Sequence, residues 1–223
     1  MNIAFIPVRG GSKSIPLKNI KYINEKPLVF WTTFAASNTK CIDKVVIATD
    51  SEEIKNIVLG FELPKVEIYD RNPQNAQDTS STESVMLEYI EAAKLNENDL
   101  FFLIQATSPM LKSENIDGMF EAFEQNSADS MFTAVREKQF HWIETKNGIE
   151  PINYDYKNRP RRQEFRGILA ENGACYINSV KNILKAKCRL SGKISAYELP
   201  AYTSYEIDEE ADWLIVEQLM KKY

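Results

Sequence analysis

Short apolar runs alternate with segments of helical spacing along the first two thirds of the chain. Each run ends in a loop rich in polar residues or glycine, and such runs are typical of strands buried on both faces of a sheet. We therefore predict strands at residues 2–8, 44–49, 65–69, 100–105 and 130–135.

The segments between these runs predict helices. Asp50 and Glu53 predict a capping pair at the start of one helix, and residues 80–83 predict a capping box at the start of another. Strands that alternate with helices predict an α/β fold, a Rossmann-like and mostly parallel sheet with helices on both faces. The predicted apolar helix faces are Leu28, Trp31 and Ala35 in the first helix, and Val85, Tyr89, Ile90 and Ala93 in a later one.

The alternation stops after Arg136, where a polar and aromatic stretch begins. We predict an inserted arm at about 137–168 within a single domain of residues 1–223, because the apolar side chains of the arm need a surface to bury against. Regular structure resumes at 174–177 and 194–199. The apolar residues of the arm are Phe140, Trp142, Ile149, Ile152, Tyr154 and Tyr156, and those of the predicted closing helix are Ala211, Leu214, Ile215 and Leu219.

Composition narrows the class of protein. The chain has 223 residues, 43% of them hydrophobic and 26% charged, which is ordinary for a soluble domain. A net charge of -5 argues against a general nucleic-acid binder, and no apolar run is long enough to span a membrane. Cys41, Cys175 and Cys188 are not spaced as metal ligands or as a redox pair, which favours a reducing cytoplasm. We expect the fold to close at Tyr223 without a second active domain.

The loop after the first strand is the strongest candidate for chemistry. Gly10 and Gly11 allow a ligand to approach the backbone, and the cations Arg9, Lys13 and Lys18 follow within a few residues, against the overall negative charge. This arrangement suits a polyphosphate, although a Gly-Gly-Ser-Lys string taken alone is equally compatible with a solvated basic turn. The P-loop and dinucleotide-binding patterns are absent from the sequence.

Residues 206–212 form an acidic segment that is a candidate Mg²⁺ site. Glu206 and Asp208 lie on the same side of an extended segment, and Asp212 joins Asp208 if a helix begins there. Mg²⁺ is commonly held by one or two carboxylates and substrate phosphates. On this segment alone, acidic capping of a helix start is about twice as probable as a metal site.

Further polar groups follow other predicted strands. Gln105 and the residues after it lie at the carboxyl end of a central strand, where open α/β sheets bind ligands. Arg71 and residues 78–82 are candidates for a rim that recognises a nucleotide base, or for a helix cap. Residues 159–163 are a basic cluster that faces either an anionic substrate or only solvent. His141 is the sole histidine and is interpreted as structural.

Together these residues resemble the acylneuraminate cytidylyltransferases, also called CMP-sialic acid synthetases. The family's opening signature matches Ile6 to Ile20 almost throughout, and the likeness covers essentially the whole chain in the right order. The supporting blocks are Ala48-Thr49-Asp50, Asp78-Thr79, Gln105 to Pro109, Arg161-Arg162-Gln163, Asn172-Gly173-Ala174 and Glu206-Ile207-Asp208.

The resemblance implies a homodimer, with the arm reaching toward the partner subunit, and Mg²⁺-dependent transfer of CMP from CTP to the anomeric hydroxyl of a nonulosonic acid. It also implies roles for individual residues. The residues implied to bind the nucleotide are Arg9, Gly10, Gly11, Ser12, Lys13, Lys18, Asn19, Arg71, Ser80 and Thr82. Those implied to bind the sugar are Gln105, Tyr176, Arg161 and Arg162, and those implied to bind the metal are Asp208 and Glu206. The implied catalytic residues are Arg9, Lys13 and Asp208.

Two departures from the family pattern concern the metal and the acceptor respectively. Glu206 stands where some relatives have aspartate, and Ala170-Glu171 stands where familiar sialic-acid enzymes have an arginine followed by proline. The second departure favours a modified acceptor such as legionaminic acid, with the basic cluster of the arm as a candidate substitute for the arginine. The alternatives are a Kdo-type cytidylyltransferase, a sugar-1-phosphate nucleotidylyltransferase and an inactive nucleotide-binding module.

Overall fold

The computed structural model describes residues 1–77 and 79–223. The five predicted strands are present, each within two residues of its predicted bounds. The strands are β1 Asn2–Pro7, β2 Tyr22–Ile23, β3 Lys26–Pro27, β4 Lys44–Thr49, β5 Val66–Asp70, β6 Leu100–Ile104, β7 Ser130–Glu137, β8 Trp142–Thr145, β9 Gly148–Pro151, β10 Ile168–Ser179 and β11 Ile194–Leu199. The helices are α1 Leu28–Ser37, α2 Glu52–Leu59, α3 Thr82–Ala92, α4 Ser113–Gln125, α5 Val180–Ala186 and α6 Glu210–Lys222.

The described chain forms a seven-stranded sheet in the order β11-β7-β10-β6-β1-β4-β5. Adjacent strands are parallel except at β10, which runs antiparallel to both β6 and β7. The fold is therefore α/β with a mostly parallel sheet, as the sequence predicts.

Helices cover both faces of this sheet because its strands are apolar on both sides. Alternate residues of β1 show the division: Ala4 and Ile6 pack in a cluster with α1, α2 and α4, whereas Ile3 and Phe5 pack in a second cluster with α3 and α5. A third apolar cluster joins the loop after β1 to the segment before α6 and to α6 itself. Its buried members are Ile15, Ile23, Leu28, Met110, Ile207, Trp213 and Val216.

Two predicted helix caps are each displaced by one residue. Ser51, not Asp50, caps α2 by accepting a hydrogen bond from the backbone N–H of Ile54 at 3.3 Å, because the Asp50 carboxylate is engaged by the backbone of Gly10. The box at 80–83 is also shifted. Ser81 caps α3, while the Ser80 hydroxyl donates to the carbonyl of Gln74.

The closing helix is confirmed, but its buried face is not the predicted one. Trp213 and Val216 are buried, whereas Leu214 and Ile215 are 67% and 42% exposed and Ala211 is exposed. The cap at Glu209 sets the rotation of α6, so that Trp213 docks into the cluster under the first loop.

The inserted arm contains a hairpin of β8 and β9. Phe140 stacks on Tyr154 with ring centroids 4.1 Å apart, yet most of the apolar side chains that we expected to bury are open to solvent in the single chain. The exposed ones are Trp142, Ile149, Ile152 and Tyr156. In residues 1–77 and 79–223, no helix combines the length and the apolar character needed to cross a bilayer.

Candidate functional site

The candidate site lies at the edge of the sheet where β1, β4, β5 and β6 have their carboxyl ends. Loops 8–17, 71–81 and 105–107 follow β1, β5 and β6 and meet there. Ligands of open α/β sheets bind at this edge, so the topology alone brings together the loops that the sequence singles out.

The glycine loop is held against the neighbouring strand. The backbone N–H of Val8 donates to the carbonyl of Ala48 at 2.9 Å, and that of Gly10 donates to Oδ1 of Asp50 at 2.9 Å. A Cβ atom on Gly10 would lie 3.0 Å from Cβ of Ser51, so a larger residue would push the loop outward. Glycine at this position therefore keeps the basic loop close to the sheet.

The acidic segment 206–208 closes over this loop. The backbone N–H of Ile207 donates to the carbonyl of Thr107 at 2.9 Å. Nζ of Lys18 donates to the carbonyl of Ile207 at 2.8 Å and to Oδ1 of Asp208 at 3.1 Å. The hydroxyl of Ser14 donates to the carbonyl of Asp208 at 2.5 Å. Cations of the first loop and the candidate metal ligand thus share one site.

Two adjoining pockets form the floor of the site. One, of about 190 Å³, lies between β1, α3 and the end of β6, and the other, of about 260 Å³, lies over the glycine loop. Arg9, Lys18 and Asn19 line both pockets, so the two lie next to each other, and together they are called the cleft below. The first is also lined by Arg71, Gln77, Ser80, Ser81, Thr82, Gln105 and Thr107, and the second by Gly11, Ser12, Lys13, Ser14 and Asp208.

Two polar atoms in the first pocket lack a hydrogen-bond partner among the described residues. They are Nε of Arg71 and Oγ1 of Thr107, both buried. Arg71 is only 7% exposed, and burial lowers the pKa of its guanidinium. Buried polar groups are normally paired, so both atoms are suited to hydrogen-bond a polar ligand in this pocket.

The loop that carries Arg71 is organised by Glu88 on α3. Glu88 accepts hydrogen bonds from the hydroxyl of Tyr69 at 2.9 Å, the backbone N–H of Asn72 at 2.8 Å and Nδ2 of Asn75 at 2.6 Å. Arg71 in turn donates to the carbonyl of Asn75. One carboxylate therefore sets the shape of the loop on which Arg71 depends.

Acidic side chains gather at the other end of the cleft. Burial, followed by the negative charges of Asp208 and Glu171, raises the pKa of Glu206 to about 7. The carboxylate of Glu206 lies against Gly173, which has a φ of +66° and where a Cβ would be 2.3 Å from Oε1 of Glu206. Gly173 thus provides both the backbone turn and the space that Glu206 occupies. Tyr176 donates its hydroxyl hydrogen bond to Glu171.

Comparisons with known proteins show the family to which the chain belongs. The family profile described as cytidylyltransferase matches residues 3–163. The chain belongs to the cytidylyltransferase family. Among its relatives, the N-acylneuraminate cytidylyltransferase A of Danio rerio is 35% identical over 99% of this chain. The post-translational flagellin modification protein B of Campylobacter coli is 30% identical over 97% of this chain and 94% of its own length.

This cytidylyltransferase chain spans about half the length of several relatives: 51% of the Danio rerio protein and 50% of the N-acylneuraminate cytidylyltransferase of Oncorhynchus mykiss, to which it is 36% identical. Solved structures share its fold. A CMP:2-keto-3-deoxy-manno-octonic acid synthetase complexed with CTP superposes with a TM-score of 0.71 at 17% identity, over 99% of this chain and 98% of the other. A 4-diphosphocytidyl-2C-methyl-D-erythritol synthase from Anaerococcus prevotii superposes at 0.72, with 13% identity, over 99% and 96%.

The candidate site contains most of the residues singled out in the sequence. Of the predicted nucleotide-binding residues, all line the cleft except Gly10, which supports the loop from behind. Tyr176, Glu206, Arg161 and Arg162 are not among the residues that line the two pockets, and both arginines are exposed on the arm. Asp78, part of the predicted rim, lies outside the described residues.

Sequence reasoning missed several residues of the cytidylyltransferase site. Asp50 was interpreted only as a cap, and Glu88 and Arg189 carry no motif that would mark them. Gln77 lies beside the predicted rim at 78–82, so its place in the pocket could have been inferred. Another cavity, of about 310 Å³ between α1 and α6, contains none of the predicted site residues.

Proposed function

We propose that this cytidylyltransferase transfers CMP from CTP to the anomeric hydroxyl of a nonulosonic, sialic-acid-like sugar acid and releases pyrophosphate. The observation that carries the proposal is this pair of adjoining pockets. It joins a pocket with buried, unpartnered polar atoms to a basic glycine loop, and Arg9, Lys18 and Asn19 line both parts. Base and triphosphate of one nucleotide fit such a pair of pockets.

In this proposal the nucleotide lies along the cleft. Arg71, Ser80 and Thr82 read the cytosine, and Asn19 binds the ribose. The backbone of Gly11, together with Ser12, Arg9, Lys13 and Lys18, binds the triphosphate, while Gly10 holds the loop in place by donating its N–H to Asp50. Clustered N–H groups and positive charge are what a polyphosphate requires. The side-chain amide of Asn19 already donates to the carbonyl of Arg9 at 3.0 Å, so a ribose would meet a preformed wall.

The proposed reaction exchanges one P–O bond for another. The anomeric oxygen bonds to the α-phosphorus, the bond between this phosphorus and the bridging oxygen breaks, and pyrophosphate leaves with the electron pair. Phosphoryl transfer of this kind needs positioning and charge stabilisation more than covalent help from the protein. Arg9 and Lys13 are placed to offset the charge that grows on the pyrophosphate.

The carboxylates at the cleft fit a Mg²⁺ ion. In the described part of the chain, no group of three or more acidic, histidine or cysteine side chains is arranged to hold a metal by itself. Asp208 lines the triphosphate pocket, and Glu206 lies close enough to Asp208 for the two charges to interact. One or two carboxylates completed by substrate phosphates is the usual Mg²⁺ arrangement. Bound there, Mg²⁺ would neutralise phosphate charge and acidify a coordinated hydroxyl or water.

For the acceptor we propose Gln105 and Tyr176, with Arg161 and Arg162 of the arm. Ala170-Glu171 stands where the sialic-acid enzymes that the chain resembles have an arginine followed by proline, and on this ground we propose a modified nonulosonic acid such as legionaminic acid rather than N-acetylneuraminate. Because Arg161 and Arg162 do not line the cleft of their own chain, we propose that they reach the acceptor site of a second copy.

A homodimer is therefore part of the proposal. The arm at about 137–168 leaves Trp142, Ile149, Ile152 and Tyr156 open to solvent, and a contiguous apolar patch of this kind is typical of an interface. We further propose that residues 1–223 form one domain that acts in the cytoplasm.

The function can be tested with purified protein, CTP and Mg²⁺ incubated separately with N-acetylneuraminic, legionaminic, pseudaminic and Kdo acids. Pyrophosphate release gives the rate, and mass spectrometry identifies the CMP-sugar. We expect a CMP-nonulosonate, with little turnover when UTP or ATP replaces CTP. Turnover of Kdo alone would favour the Kdo-type alternative. Absence of pyrophosphate with every acceptor would refute the proposal.

A further inference from the structure

A chain of four side chains crosses from the nucleotide end of the site to the acceptor end. Its members are Glu83 in the first turn of α3, Arg189 in the loop before β11, and Tyr176 and Glu171 of β10. Nε of Arg189 donates to Oε1 of Glu83 at 2.6 Å, and the guanidinium carbon lies 5.0 Å from the ring centroid of Tyr176. The Tyr176 hydroxyl donates to Glu171.

These contacts are well sheltered. The side chains of Arg189 and Glu83 are 21% and 23% exposed, and Tyr176 is 3% exposed. The hydrogen bond from Arg189 holds the pKa of Glu83 below its usual value, while burial and then Glu171 raise the pKa of the Tyr176 hydroxyl. The pair thus stays ionised and the tyrosine stays neutral near pH 7.

These four side chains connect the proposed cytosine pocket with the proposed acceptor end of the site. Glu83 directly follows Thr82, which lines the proposed cytosine pocket. Tyr176 pairs with Leu103 of β6, two residues before Gln105, and β10 is irregular between Glu171 and Tyr176. Tyr176 itself pairs with Leu103 and Phe132, so the strand fixes its backbone, while its side-chain neighbours Arg189 and Glu171 hold the ring and the hydroxyl.

We propose that Arg189 is a positioning residue for the acceptor: held by Glu83, it packs over Tyr176 and keeps the tyrosine hydroxyl on Glu171, which fixes the wall that receives the sugar acid. The inference rests on the proposed function, in which Tyr176 contacts the sugar.

The test compares Arg189→Met, Arg189→Lys and Glu83→Gln with the wild-type protein, with CTP and the acceptor varied separately. Arg189→Met removes the charge and the cation–π contact and keeps much of the side-chain volume, whereas Arg189→Lys keeps the charge. Lys44→Met is the matched control, since it removes a 3.0 Å ion pair with Glu67 at the opposite edge of the sheet. Circular dichroism and melting curves check that each variant is folded.

We expect Arg189→Met to raise KM for the acceptor by about 10-fold, while KM for CTP changes by less than about 2-fold, because a sheltered cation–π pair and its ion pair are lost. Arg189→Lys should raise KM for the acceptor by no more than half as much as Arg189→Met on a logarithmic scale. Glu83→Gln should also raise KM for the acceptor. Lys44→Met should leave both KM values unchanged.

An unchanged acceptor KM in folded Arg189→Met would overturn the inference while leaving the proposed function standing. So would an equal rise in both KM values, which indicates general damage, or a lysine variant as impaired as the methionine variant. If the wild-type protein makes no CMP-sugar with any acceptor, the proposed function fails, and this inference falls with it.

Discussion

Lys13 and Asp208 line the same pocket although they are 195 residues apart in the sequence, 13 to 208. In the proposed mechanism Lys13 neutralises the departing pyrophosphate and Asp208 holds the cation. We expect Lys13→Ala and Asp208→Ala each to lower kcat at least ~100-fold, the usual cost of one preorganised electrostatic group.

The control for this prediction is Lys40→Ala, which removes an exposed lysine from the loop after α1. Rates are measured as pyrophosphate release at saturating CTP and acceptor. Near-normal turnover in a folded Lys13→Ala or Asp208→Ala variant would remove that residue from the mechanism.

Glu206 predicts a pH effect on stability. Burial, Asp208 and Glu171 raise its pKa to about 7 from 4.5. The folded state therefore keeps a proton that the unfolded state has already released, and stability falls as pH rises from about 4.5 to about 7. Glu206→Gln removes this loss. We expect its melting temperature in EDTA to lie above that of the wild-type protein at pH 8 and to equal it at pH 4.

Melting curves between pH 4 and pH 8 test this directly. Two curves that run parallel across the whole range would mean that Glu206 does not carry the shift. Glu206→Gln should also lose activity if Glu206 helps to bind the cation. Glu206 would then be a residue that lowers the stability of the fold while it contributes to function.

At the scale of elements, α3 controls the loop that follows β5. Glu88 accepts hydrogen bonds from Asn72 and Asn75 of this loop and from Tyr69 of β5, and so fixes the strand-to-helix connection that carries Arg71. In Glu88→Gln one of the three donors would face an amide NH₂ group. We expect KM for CTP to rise about 10-fold, in line with an unmade buried hydrogen bond, and the preference for CTP over UTP to weaken.

Glu91→Gln is the matched control, because Glu91 lies on the same helix and is exposed to solvent. Initial rates are measured with CTP and UTP at saturating acceptor. Equal KM values for Glu88→Gln and the wild-type protein would contradict a positioning role for Glu88.

Elements were predictable from the sequence where local pattern and tertiary packing agree. The strands buried on both faces and the helices α1 and α3 follow from apolar spacing alone. The closing helix was also predictable, but its buried face was not, since tertiary docking of Trp213 decides which side of α6 faces the core. The shifted caps have a similar cause, because Asp50 and Ser80 serve the site instead of the helices.

The candidate site divides in the same way. The glycine loop and the acidic segment are each a continuous stretch of sequence, so residue type alone could single out both. Glu88 and Arg189 could not, because each acts through partners distant in sequence: Arg189 lies 106 residues from Glu83. Only the folded sheet shows that these charges meet.

At the scale of the whole molecule, the exposed hairpin of the arm predicts association. Ile149 is 66% exposed in the single chain and lies in the patch that we propose as the dimer interface. A charge there would have to be buried without a partner, so Ile149→Asp should convert the dimer to a monomer. Sedimentation or light scattering gives the mass.

Leu59→Asp is the control, since Leu59 on α2 is 59% exposed but lies outside the arm. This variant should remain dimeric. A wild-type protein that is monomeric at micromolar concentration, or an Ile149→Asp variant that stays dimeric, would contradict the proposed interface.

The ion pair between Lys18 and Asp208 also has a consequence for synthesis of the chain. Their contact spans 190 residues, from the first loop to the segment before the last helix. Translation at about 5–20 residues per second leaves the lysine without this carboxylate for about 10–40 s. During that interval the nascent chain carries the basic loop without its contacts to residues 207 and 208, so the proposed site is complete only after residue 208 has been synthesised.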